Sequence, residues 1–583
     1  MTGAAADSSP GGHQGHARFG PVPASAAEAG HYRDQGWWLD RPLGDLVRQR
    51  AGSDPGGAAY VAEHGVLSWA EYDQAADGLA GRLAGLGLQR GDRAAVYLPD
   101  GPLLHIAYVA CERAGLVIVG IPSRAGDREL DHLISKTGAK VLVCLPRYRD
   151  RTAAQLVAAA RGRGVALGLH AELGADGTLT GYTWASGEPG TLPPRSAPVT
   201  GRQLGPGDLW LLNSTSGTTG VPKCVEQVQH KYLYLVRVAE AAANLSSSDV
   251  FMSVVPSPFG FGLWTAHITP PLVGAPCVLR ERFSAEETLR AAAAHRVTVL
   301  ACVTTQFLMM LASPVLAEAD LSSLRVLYAG GERIPPDRAS EWERRTGSAV
   351  LQFYGSNEIG PFSCTSLADD EERRLGTVGR VVPGTQYRLY DDRGRDITAS
   401  GGPGQPAGRG PGVFGGYWDD DEANAELFRP GGYLLLPDLV TVDGAGYVRI
   451  VGRKADLIIR GGKNISAASV EAEVGAHPDV DLVAAIAVPD PVFGERVCVV
   501  VTVRKPGKNL SLDDIRAFLA GRGVGKEYFP EYLSVVDQMP QSAGGKIAKN
   551  ELRSWLEQRL DGGDSPAAGR DHALGVDAGP EQL

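Results

Sequence analysis

Between residues 93 and 146 short apolar runs alternate with segments of helical period: RAAVYLP (93–99), GPLLHIAYVACERAG (101–115), LVIVGIP (116–122), RELDHLISKTG (128–138) and KVLVCLP (140–146). A strand covered on both faces needs an unbroken apolar run, whereas a helix lying on a sheet needs only one apolar stripe, so this rhythm predicts a parallel sheet wrapped on both sides by helices. It resumes with DLWLLN (208–213), a helix-like VEQVQHKYLYLVRVAEAAANL (225–245), FMSVVP (251–256), TVLACV (298–303) and LRVLYAGG (324–331). The stretch 170–206, dense in Gly, Pro, Ser and Thr, reads as a long irregular connection.

From about residue 376 the texture changes to short strands and glycine turns, including the low-complexity ASGGPGQPAGRGPG (399–412), and a β-rich subdomain is expected there. A compact finish follows: helix-like SVEAEVGAH (469–477), strands VDLVAAIAV and RVCVVVTV, and the helix SLDDIRAFLAG, opened by Ser511 with Asp514 in the capping-box position. With 583 residues and 43% hydrophobic composition the chain is too long for one core. The expected fold class is α/β: a large N-terminal domain of wrapped parallel sheets (31–452) with its β-rich subdomain, a hinge (453–456), and a small mobile C-terminal α+β domain (457–560). Residues 1–30, without the basic start and apolar stretch of a signal peptide, are expected to be a disordered lead-in, and 561–583 a disordered tail.

A net charge of −10 without a long basic cluster argues against nucleic acid as a partner. Seven cysteines, scattered singly, suggest neither a zinc site nor a disulfide framework, and a reducing cytoplasm fits them. No apolar run reaches the length of a membrane span.

The chemistry-bearing stretch is STSGTTGVPK (214–223). A Walker loop needs Gly-Lys followed by Ser or Thr at a helix start. Here Lys223 is followed by Cys224, and Pro222 favours an extended residue before it. What remains is a ribbon of hydroxyl side chains, Ser214, Thr215, Ser216, Thr218 and Thr219, on a backbone whose Gly217 and Gly220 let amides approach anionic oxygens. The bland alternative is a plain surface loop.

Four further stretches favour the functional reading: AGGERIP (329–335), YGSNEIG (354–360), LLLPDLVTVDGAGYVRIVGRKADLIIRGGKNIS (434–466) and PQSAGGKIAKNELR (540–553). Together with 214–223 they resemble the motifs of the adenylate-forming superfamily, which includes acyl- and aryl-CoA synthetases, peptide-synthetase adenylation domains and luciferases. The resemblance runs from about residue 37 to 556. It implies that Thr215, Ser216, Gly217, Thr218, Thr219, Gly220 and Lys223 hold phosphates, and that Gly330, Gly331 and Glu332 pass along the adenine. By the same resemblance Tyr354, with Gly355 beside it, stacks on the base, Asn357 bonds the α-phosphate, Glu358 holds Mg²⁺, Asp438 binds the ribose hydroxyls, Arg453 opens the hinge, and Lys546 is the catalytic lysine. Phe259, Phe261, Gly331 and Ser356 would line the substrate pocket.

The implied cofactors are ATP and Mg²⁺, with CoA possible, and the implied partners are a small carboxylic acid and a CoA or carrier-protein thiol. An acid oxygen would attack the α-phosphate and pyrophosphate would leave; the small domain would then rotate for transfer to the thiol. The chain departs from the family pattern at Leu436-Pro437 before the ribose aspartate, at Asn357 where threonine is usual, at Ala455 in the hinge, at Phe259 or Phe261 in place of a histidine gate, and at Cys224 after the loop lysine. The altered hinge and gate leave room for a second reading, a diazotase-type enzyme that activates nitrite for reaction with an aryl amine; a third is a non-catalytic adenylate-binding protein, against which the retained Glu358, Asp438 and Lys546 argue.

Overall fold

The structure, a computed structural model, describes residues 20–148, 150–193, 199–215, 222–331, 334–453, 456–460, 463–490, 493–505, 509–541 and 546–561. A seven-stranded sheet runs in the order Cys224–Gln227, Leu211–Ser214, Val117–Gly120, Arg93–Tyr97, Val141–Cys144, Leu169–Leu173, Leu179–Trp184. Its inner strands are parallel, and an antiparallel strand closes each edge. The crossovers are the predicted helices, Pro102–Arg113 with proline in its first turn and Asp127–Thr137.

A nine-stranded sheet is built round the parallel series Ala349–Ser356, Val326–Gly330, Val299–Val303, Phe251–Ser253, Cys277–Leu279 and Ala58–Ala62. One apolar cluster joins the two sheets, with Val96, Ile118 and Trp210 from the first, Ala301, Tyr328 and Leu351 from the second, and Tyr232 and Leu263 from helical segments between them. Helix Gln229–Ala243 is consequently buried on nearly every side.

The β-rich subdomain holds a four-stranded antiparallel sheet (Gln386–Tyr390, Gln405–Arg409, Tyr433–Leu435, Phe428–Arg429) and the hairpin Asp438–Val442 with Val448–Arg453. The C-terminal unit pairs Val480–Asp490 with Gly494–Val503, flanked by Leu457–Arg460 and Tyr532–Val535. Ser511 and Asp514 form the reciprocal cap of helix Leu512–Gly521. This unit rests on the larger one: Leu308 packs into its Leu482, Ala484 and Leu552 cluster, and Arg338 donates to the Gly475 carbonyl at 3.3 Å. The α/β class and its large and small parts are as expected.

Three details differ. Residues 225–227 are not the start of a helix but belong to the strand Cys224–Gln227, paired antiparallel with 211–214; Cys224, Val225 and Gln227 are buried and Glu226 half-buried, too short a stretch to show a strand period before the helical pattern begins. Within 170–206, Leu169–Leu173 and Leu179–Trp184 form a hairpin about Asp176-Gly177, where Asp176 accepts from the Thr178 amide. The lead-in expected to lack order overlaps helix Ala26–Asp34, capped by Ser25 and Glu28. That helix is anchored through Tyr32 and Trp38, whose indole stacks on His230 at 4.4 Å and donates to the Pro411 carbonyl. Residues 1–19 and 562–583 lie outside the described residues. Among those described, no helix is long and apolar enough to cross a membrane, and the seven cysteines are free.

Candidate active site

The chain leaves the seven-stranded sheet at Ser214 and returns at Cys224. The neck is closed by the Thr215 amide donating to the Lys223 carbonyl (3.0 Å) and the Lys223 amide donating to Thr215 Oγ1 (3.2 Å). Lys223 therefore enters a strand, unlike a Walker lysine on a helix. Ser216, Gly217, Thr218, Thr219 and Gly220 lie outside the described residues. Cys224 is buried, and burial pushes its thiol up to about 11, so it is not a reactive thiolate.

Against this neck stands the turn joining Ala349–Ser356 to Gly360–Cys364. A Cβ on Gly355 would meet the Gly360 carbonyl oxygen at 1.9 Å, so the tight return requires glycine. Ser356 Oγ accepts from the amides of Glu358 (3.2 Å) and Ile359 (3.4 Å), which turns its hydroxyl to the backbone. Asn357 forms a reciprocal amide pair with Asn213: Asn213 Nδ2 donates to Asn357 Oδ1 at 3.1 Å and Asn357 Nδ2 donates to Asn213 Oδ1 at 2.9 Å. Gln227 Nε2 joins both acceptors. One N–H of Asn357 is left for other use. Glu358 accepts from the Tyr417 hydroxyl at 2.8 Å, and the Lys223 ammonium lies 5.0 Å over the Tyr417 ring. Burial first, and the Glu358 charge second, raise the Tyr417 hydroxyl well above its ordinary range, which keeps it a donor.

Tyr354 and Asp438 meet through a hydroxyl–carboxylate bond of 3.0 Å. The bond joins the nine-stranded sheet to the hairpin leading to the C-terminal unit. Arg453 pairs by its backbone opposite Asp438; its side chain, with Glu332 and Ala455, lies outside the described residues. Gly330 ends a strand and Gly331 follows with φ of +91°. A Cβ on Gly331 would stand 2.9 Å from Cε and 3.4 Å from Nζ of Lys546. The loop lysine thus reaches across the domain boundary to the strand end, while Gly544 and Gly545 beside it are outside the described residues.

Phe259 and Phe261 are half-buried at the start of a helical run that widens to a π-helix over Leu263–Ile268. A Cβ on Gly330 would lie 3.5 Å from the Phe261 ring. Behind it Trp264, Tyr328 and Phe353 pack at ring separations of 5.2 to 5.3 Å and extend the aromatic wall. Asp100 holds the preceding loop by accepting the Ser257 amide at 2.7 Å.

Sequence reasoning missed Asn213, Gln227, Lys231 and Tyr417 around the turn, and Tyr328 and Phe353 in the wall. Only Tyr417, in the GGYW that follows the glycine-rich 399–412, had a local sequence signal. Among the described residues no group of three or more His, Cys, Asp or Glu comes together as a metal cage. Glu358, with one carboxylate oxygen held by Tyr417, suits a hard cation that takes most of its ligands from phosphate and water.

A model of the AMP-binding enzyme family matches residues 47–418, and one of the AMP-binding enzyme C-terminal domain matches 469–546. The medium-chain fatty-acid–CoA ligase of Escherichia coli (strain K12) is 32% identical over 532 residues, 91% of this chain and 93% of the relative. The feruloyl-CoA synthase of an Amycolatopsis species is 33% identical over 513 residues, 88% of this chain and 98% of the relative. The crystal structure of ATP-bound MatB from Rhodopseudomonas palustris superposes with a TM-score of 0.76 at 28% identity, covering 89% of this chain and 99% of that one. With the family models matching residues 47–418 and 469–546, most of the chain, the protein belongs to the AMP-binding enzyme family of the adenylate-forming superfamily.

Proposed function

We propose that the chain activates a small carboxylic acid, aryl, cyclic or short acyl, as its adenylate and then transfers the acyl group to the thiol of CoA or a carrier protein. The observation that carries this reading is the placement of Lys546 against Gly331, at the strand end that neighbours the Tyr354–Glu358 turn. Binding falls to Tyr354 and Asp438 for adenosine, to the 215–223 loop for the departing phosphates, and to the Phe259 and Phe261 face for the acid. In the first step an acid oxygen bonds to the α-phosphorus as the bond to pyrophosphate breaks. Negative charge grows on the phosphoryl oxygens, so a fixed ammonium from Lys546 lowers the barrier. Mg²⁺, when held by Glu358, would neutralise phosphate charge. In the second step a thiol sulfur bonds to the acyl carbon and AMP leaves, with Lys546 withdrawn as the C-terminal unit turns about 453–456.

The aromatic wall, and the feruloyl- and salicylyl-CoA synthases among the relatives, support a flat apolar acid. The test is acid-dependent pyrophosphate release from ATP over a panel of aryl, cyclic and short acyl acids with nitrite included, followed by mass analysis of products with CoA or an aryl amine. Acyl-CoA is the expected product. Release with nitrite alone and an amine-derived diazo product would replace this reading, and no release with any acid would refute it.

A further inference from the structure

Lys231 lies on helix Gln229–Ala243 and is only 2% exposed. A lysine this buried is rare, and a buried ammonium is tolerated only where its protons are bonded and its charge is answered. Here Nζ donates to Gln227 Oε1 at 2.8 Å and to the main-chain carbonyl of Asn357. Its stem runs beneath the turn: a Cβ on Gly360 would meet Lys231 Cε at 3.4 Å and Cγ at 3.6 Å. Burial lowers its pKa to about 7, and the Glu358 carboxylate is the anion that opposes the shift.

The Asn357 carbonyl receives a second bond, from Gln227 Nε2 at 2.9 Å. On the other side of the same peptide, the Glu358 amide donates to Ser356 Oγ at 3.2 Å. A peptide is a rigid plane, so fixing its oxygen and its N–H together fixes the Cα from which the Glu358 side chain springs. Tyr417 then holds the carboxylate at its tip.

We propose that Lys231 is a positioning residue of this site: from beneath the turn it clamps the Asn357–Glu358 peptide, and thereby sets where the metal-binding carboxylate stands. The inference rests on the acid-activating function proposed above. It is tested with Lys231→Met, which keeps the length of the stem and removes the donors and the charge. Partners behind a metal ligand are typically worth about 10- to 100-fold in affinity or rate. The variant is therefore expected to lose about 10- to 100-fold in kcat for acid-dependent pyrophosphate release. Its KM for the acid and its affinity for AMP, which is held through Tyr354 and Asp438, should stay within about threefold of wild type.

An independent readout is Mn²⁺ binding in the presence of ATP, followed by electron paramagnetic resonance, which needs no turnover. Lys231→Met should weaken it by about fivefold or more, because a misplaced carboxylate is a poorer ligand. Unchanged or tighter Mn²⁺ binding would overturn the proposal, since loss of a nearby cation without loss of position favours the metal. A parallel fall in AMP affinity and kcat would also overturn it, by showing general collapse of the site. If wild-type protein releases no pyrophosphate with any acid, the function fails, yet the Mn²⁺ comparison still decides the role of Lys231.

Discussion

Lys546 and Gly331 touch across the domain boundary: the space that a Cβ on Gly331 would need lies 2.9 Å from Cε of Lys546. The same glycine has a φ of +91°, where L side chains are strained. Gly331→Ala meets both obstacles, a backbone penalty of about 1–2 kcal/mol and displacement of the lysine stem. Adenylate formation is expected to fall by about 10-fold or more, read as pyrophosphate release, with little change in thioester formation from a supplied acyl-adenylate. Equal losses in the two half-reactions would place the damage elsewhere.

Lys546→Ala removes the ammonium without touching the strand end. Its effect should be larger, about 100-fold or more in adenylate formation, because a charge aimed at the phosphoryl oxygens acts on the transition state. Thioester formation from the isolated acyl-adenylate should keep most of its rate. Single-turnover assays of each half-reaction measure the difference, and a uniform loss would contradict a role confined to the first step.

How much of this was legible before the fold was known depends on what each element needs. Strands such as Val141–Cys144 and Val299–Val303, buried at every residue, must be continuous apolar runs, and so they stood out. The strand Cys224–Gln227 did not, because its four residues, interrupted by the charged Glu226, merge into a helix buried on nearly every side. Lys546 could be singled out only through its motif; nothing in periodicity points a loop lysine to a glycine in another domain. Lys231 gave no signal at all, since a lysine in an amphipathic segment reads as solvated until two sheets are seen to enclose the helix. Asn357 likewise lies 144 residues from Asn213 and 130 from Gln227, and the three amides become a network only when strands and turn meet.

The Tyr354–Asp438 bond gives a graded expectation. A hydrogen bond to a charged group contributes about 1.5–3 kcal/mol, less where water can reach it. Tyr354→Phe keeps the ring and loses the hydroxyl that orients the carboxylate. The KM for ATP should rise by about 3- to 10-fold with kcat nearly unchanged, the pattern of lost ground-state binding. Steady-state kinetics at saturating acid distinguish this from a loss in kcat, which would move Tyr354 into the chemical step.

Glu358→Gln is nearly isosteric and can still accept from the Tyr417 hydroxyl, so the turn should stand. What is removed is the negative charge a divalent cation seeks. Pyrophosphate release is expected to fall by about 100-fold, with a higher Mg²⁺ concentration needed for half-maximal rate. Wild-type Mg²⁺ dependence in the variant would dismiss Glu358 as the metal ligand.

A pH effect follows from Glu112, far from the cleft. Its carboxylate is wholly buried and accepts from the Gly44 amide at 3.0 Å, Gln203 Nε2 at 2.9 Å and Gln229 Nε2 at 2.7 Å. Burial, outweighing these bonds and the neighbouring Arg113, pushes its pKa from 4.5 up to about 7. Between those values the folded state holds a proton that the unfolded chain has released, so stability declines as pH rises. The contribution is fully present below the unfolded value and gone once pH passes the folded one. A shift of that size corresponds to on the order of 3 kcal/mol. Glu112→Gln removes the titration while introducing an amide that faces the Gln229 donor, so the variant should be less stable near the acidic end of the window. Its disadvantage should shrink as pH rises from about 5 to about 8, because wild-type protein alone loses stability over that interval. Urea unfolding of both proteins at several pH values measures the gap, and parallel curves would show that Glu112 keeps one protonation state throughout.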